Sequence, residues 1–284
     1  MTINSVGILG SGIMGSGIAE VTAKAGIEVI LRSRKQETAA AMIAGLDKSL
    51  SRQVDKGKLE PAEREQTLAL VTATDHIGDL VDCDLIIESV VEDLDVKRAL
   101  FAELDNVVKP DAILVSNTST FPVTELAACT SRPDKVCGLH FFNPAPLMAL
   151  VEVVRPLTAS DETIGAAVAF AEKCGKNPVE VSDRAGFIVN ALLFPYLNNA
   201  VAMLESGTAS LEDIDSAMKN GCNFPLGPFA LMDLIGLDTT VAIIDALRTE
   251  FGDPSYSCHP RLRRMVTAGY LGRKSGRGFY DYSS

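Results

Sequence analysis

Apolar and polar positions alternate in blocks along the first 180 residues. Residues 5–10 (SVGILG) form a short apolar run that reads as a buried strand, and 28–31 (EVIL) reads as a second. Between them residues 18–25 carry helical spacing, closed by Gly26. A long helix is predicted from 36 to about 57 and a second, turning back, over 61–70. Buried strands follow at 84–91 (DLIIESVV) and 112–116 (AILVS), with a helix over 96–106 between them and a short one near 122–128 after them. Residues 137–139 lead as a strand into His140, and 150–154 form another, the two separated by a turn at Asn143, Pro144 and Pro146. An amphipathic helix at 161–174, stopped by Gly175, and a short strand at 178–182 end the alternation. From Arg184 onward everything reads as helix or loop: 187–205, 211–219, 228–247 and a stretch near 261–268. A change from alternating β and α to all-α marks a domain boundary near 183–187, taken as 1–185 and 186–284.

The first block carries a specific signal. Gly10, Gly12 and Gly15, with Ile13 and Met14 between the last two, spell G-x-G-x-x-G directly after a strand and ahead of a helix and a second strand, all within 27 residues. Gly10 makes the tight turn, Gly12 lets backbone approach a pyrophosphate, and Gly15 lets helix pack on strand. The free N–H groups and dipole of the helix favour the anion. The expected fold class is therefore α/β: a Rossmann-type dinucleotide-binding domain with a helical hairpin insertion at 36–70, then an all-α C-terminal domain. The usual carboxylate about 20 residues past the glycines, which binds the ribose 2′-hydroxyl, is missing. Its place is held by Arg32-Ser33-Arg34-Lys35, and no carboxylate comes before Glu37.

Three further groups suggest chemistry. His140 and Glu152 lie twelve residues apart in apolar, strand-like surroundings. Two adjacent strands would bring them within hydrogen-bond reach, where a carboxylate fixes the imidazole tautomer and stabilises the imidazolium. Asn117-Thr118-Ser119-Thr120 follow a carboxyl strand end, where an open α/β sheet binds ligands. Lys48, Arg52 and Lys56 are spaced i, i+4, i+8 and share one helical face able to meet phosphates.

Composition narrows the class. The chain of 284 residues is 47% hydrophobic and 22% charged, which suits a globular protein with a sizeable core. A net charge of −11 argues against nonspecific nucleic-acid binding. The six cysteines show no C-x-x-C or metal spacing and read as small core residues of a cytoplasmic protein without a bound metal. No leader segment and no apolar run near the length of about 20 residues needed to span a membrane is apparent. Tyr270 and Lys274 match Y-x-x-x-K, but four glycines around them argue against the helix that such a pair needs.

On these residues the chain resembles the short L-3-hydroxyacyl-CoA dehydrogenases over almost its whole length. The likeness rests on GILGSGIMGSGIAE, IIESVVED, SNTST, GLHFFNPAPLMALVEV, DRAGFIVNALL, PLGPFALMDLIGLDT and LGRKSGRGFYDY. The resemblance implies hydride transfer between a nicotinamide cofactor and an (S)-3-hydroxyacyl-CoA/3-oxoacyl-CoA pair, 3-hydroxybutyryl-CoA and acetoacetyl-CoA first among them. It implies that His140 and Glu152 are catalytic and that Ser119 and Asn190 contact substrate. It also implies that Glu92 and Lys97 approach the nicotinamide ribose, with Asn117 beside them in the cofactor site. Arg52 and Lys56 match positions that face coenzyme A. Two departures matter. Ala185 replaces the family's usual proline, and Ser33 replaces its usual aspartate. With Arg34 next to Ser33, the expected cofactor is NADP(H), NAD(H) being the second choice. A homodimer through the C-terminal helices is implied as well. There Phe187, Leu192, Leu193, Phe194, Tyr196, Leu197 and Met203 form an apolar band wider than one helix face. Two other readings are open: the same chemistry on a carrier-protein thioester, and a non-enzymatic nucleotide-binding protein.

Overall fold

The computed structural model describes residues 2–283, which form two compact units, 2–183 and 184–283. The first runs β1 (Ser5–Leu9), α1 (Ile13–Lys24), β2 (Glu28–Arg32), α2 (Gln36–Asp55), α3 (Pro61–Ala69) and β3 (Val71–Thr74). It continues with β4 (Leu85–Glu88), α4 (Leu94–Val107), β5 (Ile113–Ser116), α5 (Val123–Ala127), β6 (Val136–Phe141), β7 (Leu150–Arg155), α6 (Asp161–Lys173) and β8 (Asn177–Ser182). The strands make one eight-stranded sheet in the order β3-β2-β1-β4-β5-β6-β7-β8. Every pairing is parallel except β6 with β7. The order reverses between β1 and β4, so the carboxyl ends of β1, β4 and β5 face the crevice where such sheets bind ligands. Strands covered on both faces must be apolar on both, which is why β1, β4 and β5 read as unbroken apolar runs. Val6, Ile8, Leu31, Leu85 and Val115 join Ile18 of α1 and Leu46 and Leu50 of α2 in the main core.

The Rossmann-type reading holds, with differences in detail. α1 starts at Ile13 and not near residue 18, because Gly12 is its N-cap and Gly15 and Gly17 lie inside it. Glycine lowers helix propensity, so the pattern alone starts the helix late. β3 was absent from the predicted elements; it is four residues long at the sheet edge, and two of them are Thr.

The second unit is helical: α7 (Val189–Glu205), α8 (Leu211–Gly221), α9 (Pro228–Ile235), α10 (Leu237–Phe251) and α11 (Pro260–Thr267). Phe194, Leu197, Phe229, Met232, Leu237, Ile244, Leu247 and Leu262 form its core. The single helix expected over 228–247 is two, broken at Gly236, whose φ of +103° takes the chain out of the helix. Tyr270 and Lys274 do not share a helix, and Lys274 instead pairs with Asp238.

The terminal residues of this unit are held by a buried carboxylate. Asp233, 1% exposed, accepts from the backbone N–H groups of Phe279 and Tyr280, both at 2.9 Å, and from the Tyr282 hydroxyl at 3.1 Å. Burial pushes its carboxyl above the ordinary range against the pull of these donors. Gly278 is required here, since a Cβ would stand 2.0 Å from Asp233 Oδ1. Asp233→Ala leaves these donors without an acceptor. It is expected to lower the stability of the full chain by about 3 kcal/mol or more, read from a urea unfolding transition, whereas Asp233→Asn, which keeps one acceptor oxygen, should cost less.

Candidate active site

The glycine turn stands beside the end of β2, where the Gly10 N–H donates to the Arg32 carbonyl at 3.2 Å. Gly10 has a φ of +130°, and a Cβ there would lie 2.1 Å from the Ser89 carbonyl oxygen. A Cβ on Gly15 would lie 2.2 Å from the Gly10 carbonyl oxygen, so both glycines are needed for the chain to pass itself. A Cβ on Gly12 would meet nothing within 4 Å, so this glycine borders open space. Gly12 gives α1 no side-chain cap, and the first turn of the helix holds no acid. The free N–H groups and positive end of α1 suit an anion, and the cradle fits a pyrophosphate. Ile13 is 76% exposed at this helix start, and Met14 is half-buried.

Ser33 is buried, and its N–H donates to the Thr74 carbonyl at 3.0 Å. Arg32 is half-buried and Arg34 exposed. β2 ends at Arg32, so Arg34 falls outside the strand's alternation of faces. The Arg32 Nε is buried without a hydrogen-bond partner in the protein. An orphaned guanidinium donor at this strand end is left to donate to a bound ligand's acceptor.

Across the sheet, antiparallel pairing sets His140 of β6 directly opposite Glu152 of β7. His140 Nδ1 lies 2.7 Å from Glu152 Oε2, and His140 Nε2 lies 3.1 Å from Ser119 Oγ. Histidine and glutamate are 4% and 1% exposed. An ionised carboxylate only accepts, so it fixes the proton on Nδ1 and leaves a lone pair on Nε2. The Ser119 hydroxyl donates to that lone pair. Phe142 packs on the imidazole with ring centroids 4.5 Å apart.

Two family models match the chain in succession: the NAD-binding domain of 3-hydroxyacyl-CoA dehydrogenase over residues 5–184 and that enzyme's C-terminal domain over 186–282. The chain belongs to the 3-hydroxyacyl-CoA dehydrogenase family. It is thus an oxidoreductase with a nicotinamide-binding N-terminal domain. A 3-hydroxybutyryl-CoA dehydrogenase of Mycobacterium tuberculosis is 50% identical over 282 residues, covering 99% of both chains. One from Clostridioides difficile is 48% identical over 276 residues, covering 97% of this chain and 98% of that one. The crystal structure of an (S)-3-hydroxybutyryl-CoA dehydrogenase from Ralstonia eutropha superposes with a TM-score of 0.97 at 44% identity, covering 100% of each chain.

Within this dehydrogenase fold, Glu92 and Lys97 meet: Lys97 Nζ lies 3.1 Å from Glu92 Oε2, and Lys97 is 1% exposed. Burial acts to raise the Glu92 carboxyl, but the Lys97 ammonium and donors from Thr118 and Ser119 outweigh it and hold the group below its ordinary value. Asn117 is engaged by protein on both sides of its amide. Its Oδ1 accepts from the Phe141 N–H at 2.9 Å, and its Nδ2 reaches Ser89 Oγ at 3.3 Å. Lys48 and Arg52 lie exposed on α2, with Lys56 exposed at its C-cap. None of these three has an ion pair among the described residues, so the cationic face is available to an anion. Asn190 is buried in the second unit, at the start of α7.

Three residues of this dehydrogenase were not singled out from sequence. Glu20 is buried and ties α2 to α1 by accepting from Ser49 Oγ and Gln53 Nε2, both at 2.8 Å, and from Lys24 Nζ at 2.9 Å. Asp183 accepts from the Val123 N–H at 2.9 Å and the Thr124 N–H at 2.6 Å, capping α5 from sixty residues away. Glu88 closes β4 with no exposure at all. Its only signal was a carboxylate ending an apolar strand, LIIE.

Proposed function

We propose that this chain interconverts (S)-3-hydroxyacyl-CoA and 3-oxoacyl-CoA, with 3-hydroxybutyryl-CoA and acetoacetyl-CoA as its principal pair. The observation that carries this reading is His140, joined to Glu152 through one ring nitrogen and to Ser119 through the other. The names of relatives 48% and 50% identical to it support the acyl chain.

When bound, the nicotinamide accepts or supplies the hydride. The protein manages the proton. In oxidation His140 Nε2 removes the proton of the substrate 3-hydroxyl, and Glu152 steadies the imidazolium through Nδ1–H. Ser119 Oγ, already within reach of Nε2, orients the reacting oxygen; in reduction it donates to the developing alkoxide while the imidazolium returns the proton. Asn190 is kept as a second substrate ligand on the family likeness. Arg52 and Lys56 are assigned to the phosphates of coenzyme A. Glu92, Lys97 and Asn117 are assigned to the nicotinamide end of the cofactor site, and Gly10, Gly12, Ile13, Met14 and Gly15 to its pyrophosphate.

The cofactor assigned to the site is NADP(H). Ser33 lacks the charge that would repel a 2′-phosphate, and the Arg32 Nε stands without a partner beside it. Among the described residues no helix is long and apolar enough to cross a membrane; the cytoplasmic location is proposed from the likeness to bacterial dehydrogenases. No group of three or more His, Cys, Asp or Glu there could hold a metal.

A homodimer through the helical unit is part of the proposal. Leu192 is 72% exposed, Leu234 51%, Met203 47% and Phe224 42%, apolar surface that a second copy would cover. Light scattering at micromolar protein is expected to give twice the 30.2 kDa of the chain, and a monomer mass would remove this part.

The activity itself is tested by absorbance at the reduced-nicotinamide band, crossing NADH and NADPH with acetoacetyl-CoA and longer 3-oxoacyl-CoAs. Turnover of acetoacetyl-CoA is expected, and failure with every thioester and both cofactors would overturn the reading.

A further inference from the structure

Glu88 is a carboxylate with no solvent exposure, so it must be paired and hydrogen-bonded to be tolerated. Its Oε1 accepts from the Val90 N–H and from Lys97 Nζ, both at 2.7 Å, and its Oε2 accepts from Ser116 Oγ at 2.6 Å. Ser116 Oγ in turn accepts from the Thr118 N–H at 3.2 Å. The Thr118 hydroxyl donates to Glu92 Oε1, and the other Glu92 oxygen faces Lys97 Nζ at 3.1 Å. These bonds form a closed ring running Glu88, Ser116, Thr118, Glu92, Lys97 and back to Glu88. Ser119 hangs from the ring by its backbone N–H, which donates to Glu92 Oε1 at 3.1 Å, and presents its hydroxyl to His140.

Two carboxyl groups share the single Lys97 Nζ, Glu88 at 2.7 Å and Glu92 at 3.1 Å. The members also differ in freedom: the Glu92 side chain is 40% exposed, that of Glu88 not at all. Glu92 Oε1 accepts from the Thr118 hydroxyl, the Ser119 N–H and, at 3.2 Å, the Thr120 hydroxyl, while its Oε2 faces Lys97 Nζ. Without an acceptor oxygen at position 88, Lys97 Nζ loses its 2.7 Å anchor, and Glu92, which it holds at 3.1 Å, is no longer fixed against Thr118 and the Ser119 N–H.

We propose that Glu88 is a positioning residue that holds Ser119 against His140 through Lys97 and Glu92. This rests on the roles given to His140 and Ser119 in the preceding subsection. Glu88 itself touches no reacting atom; it sets where the Ser119 hydroxyl stands, and misplacement on the order of 1 Å can cost about 10² in rate.

The test is a double-mutant cycle on kcat for acetoacetyl-CoA reduction, with wild type, Glu88→Ala, Ser119→Ala and the double variant. Glu88→Ala is expected to lower kcat by about tenfold or more in the wild-type background and by less than about twofold once Ser119 is alanine, with the thioester KM changed little in both. Glu88→Gln, which keeps acceptor oxygen for Val90 and Lys97, should recover most of the loss. Ser116→Ala opens the ring at an uncharged corner and is read in the same cycle if Glu88→Ala does not fold. Equal losses in both backgrounds, or no loss in the first, would overturn the inference while leaving the function intact. A Ser119→Ala variant with wild-type kcat would overturn the role of Ser119, and the inference with it.

Discussion

Replacing His140 with alanine is expected to lower kcat by about 10²–10⁴-fold, the usual contribution of a positioned acid–base group, while leaving cofactor affinity near that of the wild type. The size follows from the geometry. Nε2 is the only nitrogen of the ring left to exchange a proton, since Nδ1 is committed to Glu152 at 2.7 Å. The glycine turn and the end of β2 lie on other strands and do not depend on the imidazole, so the loss falls on kcat and not on nucleotide binding. Glu152→Gln is the companion. A glutamine keeps a hydrogen bond to Nδ1 but carries no charge to steady the imidazolium, and its amide, able to donate as well as accept, no longer fixes the tautomer, so kcat falls. Residues acting as one unit are strongly non-additive. The double variant should therefore be little worse than His140→Ala alone. Steady-state kinetics with acetoacetyl-CoA and a fluorescence titration of reduced cofactor provide both readings. Near-wild-type turnover by His140→Ala would mean that another group moves the proton.

Much of this arrangement was legible in the chain because of how sheets pair. His140 and Glu152 read as neighbours since each sits within an apolar strand and only a short, proline-rich turn separates them. The β6–β7 register puts them directly opposite each other. The glycine turn was legible for a related reason: three glycines at fixed spacing answer a need for close backbone passage, visible at Gly10 and Gly15. What stayed hidden depends on contacts remote in sequence. Glu88 meets Ser116 twenty-eight residues on, Glu20 meets Gln53 thirty-three residues on, and Asp183 reaches back sixty to Val123. No local spacing encodes such partners; the sole clue is a carboxylate within an apolar run, which must find donors somewhere. β3 escaped because Thr at two of its four positions leaves no apolar run. The break at Gly236 escaped because one glycine within a helical pattern is ordinarily tolerated; its positive φ decides otherwise.

The wild type is expected to use NADPH with a kcat/KM about tenfold or more above that for NADH, and Ser33→Asp with Arg34→Ala should shrink or invert the ratio. An aspartate at position 33 would accept from the ribose hydroxyls and repel a 2′-phosphate, which carries close to two negative charges. Serine removes that repulsion, and Ser33 is buried with its N–H tied to Thr74, so its backbone is fixed beside the glycine turn. The arginines then decide how strongly phosphate is favoured. Arg34, exposed past the end of β2, is free to turn toward a phosphate. Arg32 already holds a guanidinium Nε buried with nothing to donate to, a cost that a phosphate oxygen would relieve. A hydrogen bond to a charged group contributes roughly 1.5–3 kcal/mol, which corresponds to about a ten- to hundredfold preference for each well-placed contact. The two arginines are separable by experiment. If Arg34 makes the contact, Arg34→Ala alone should raise KM for NADPH and leave that for NADH unchanged. If the contact belongs to Arg32, Arg34→Ala should leave the ratio near wild type and Arg32→Ala should lower it. A wild type that prefers NADH, with a ratio indifferent to both arginines, would show that losing the aspartate does not by itself select the phosphate.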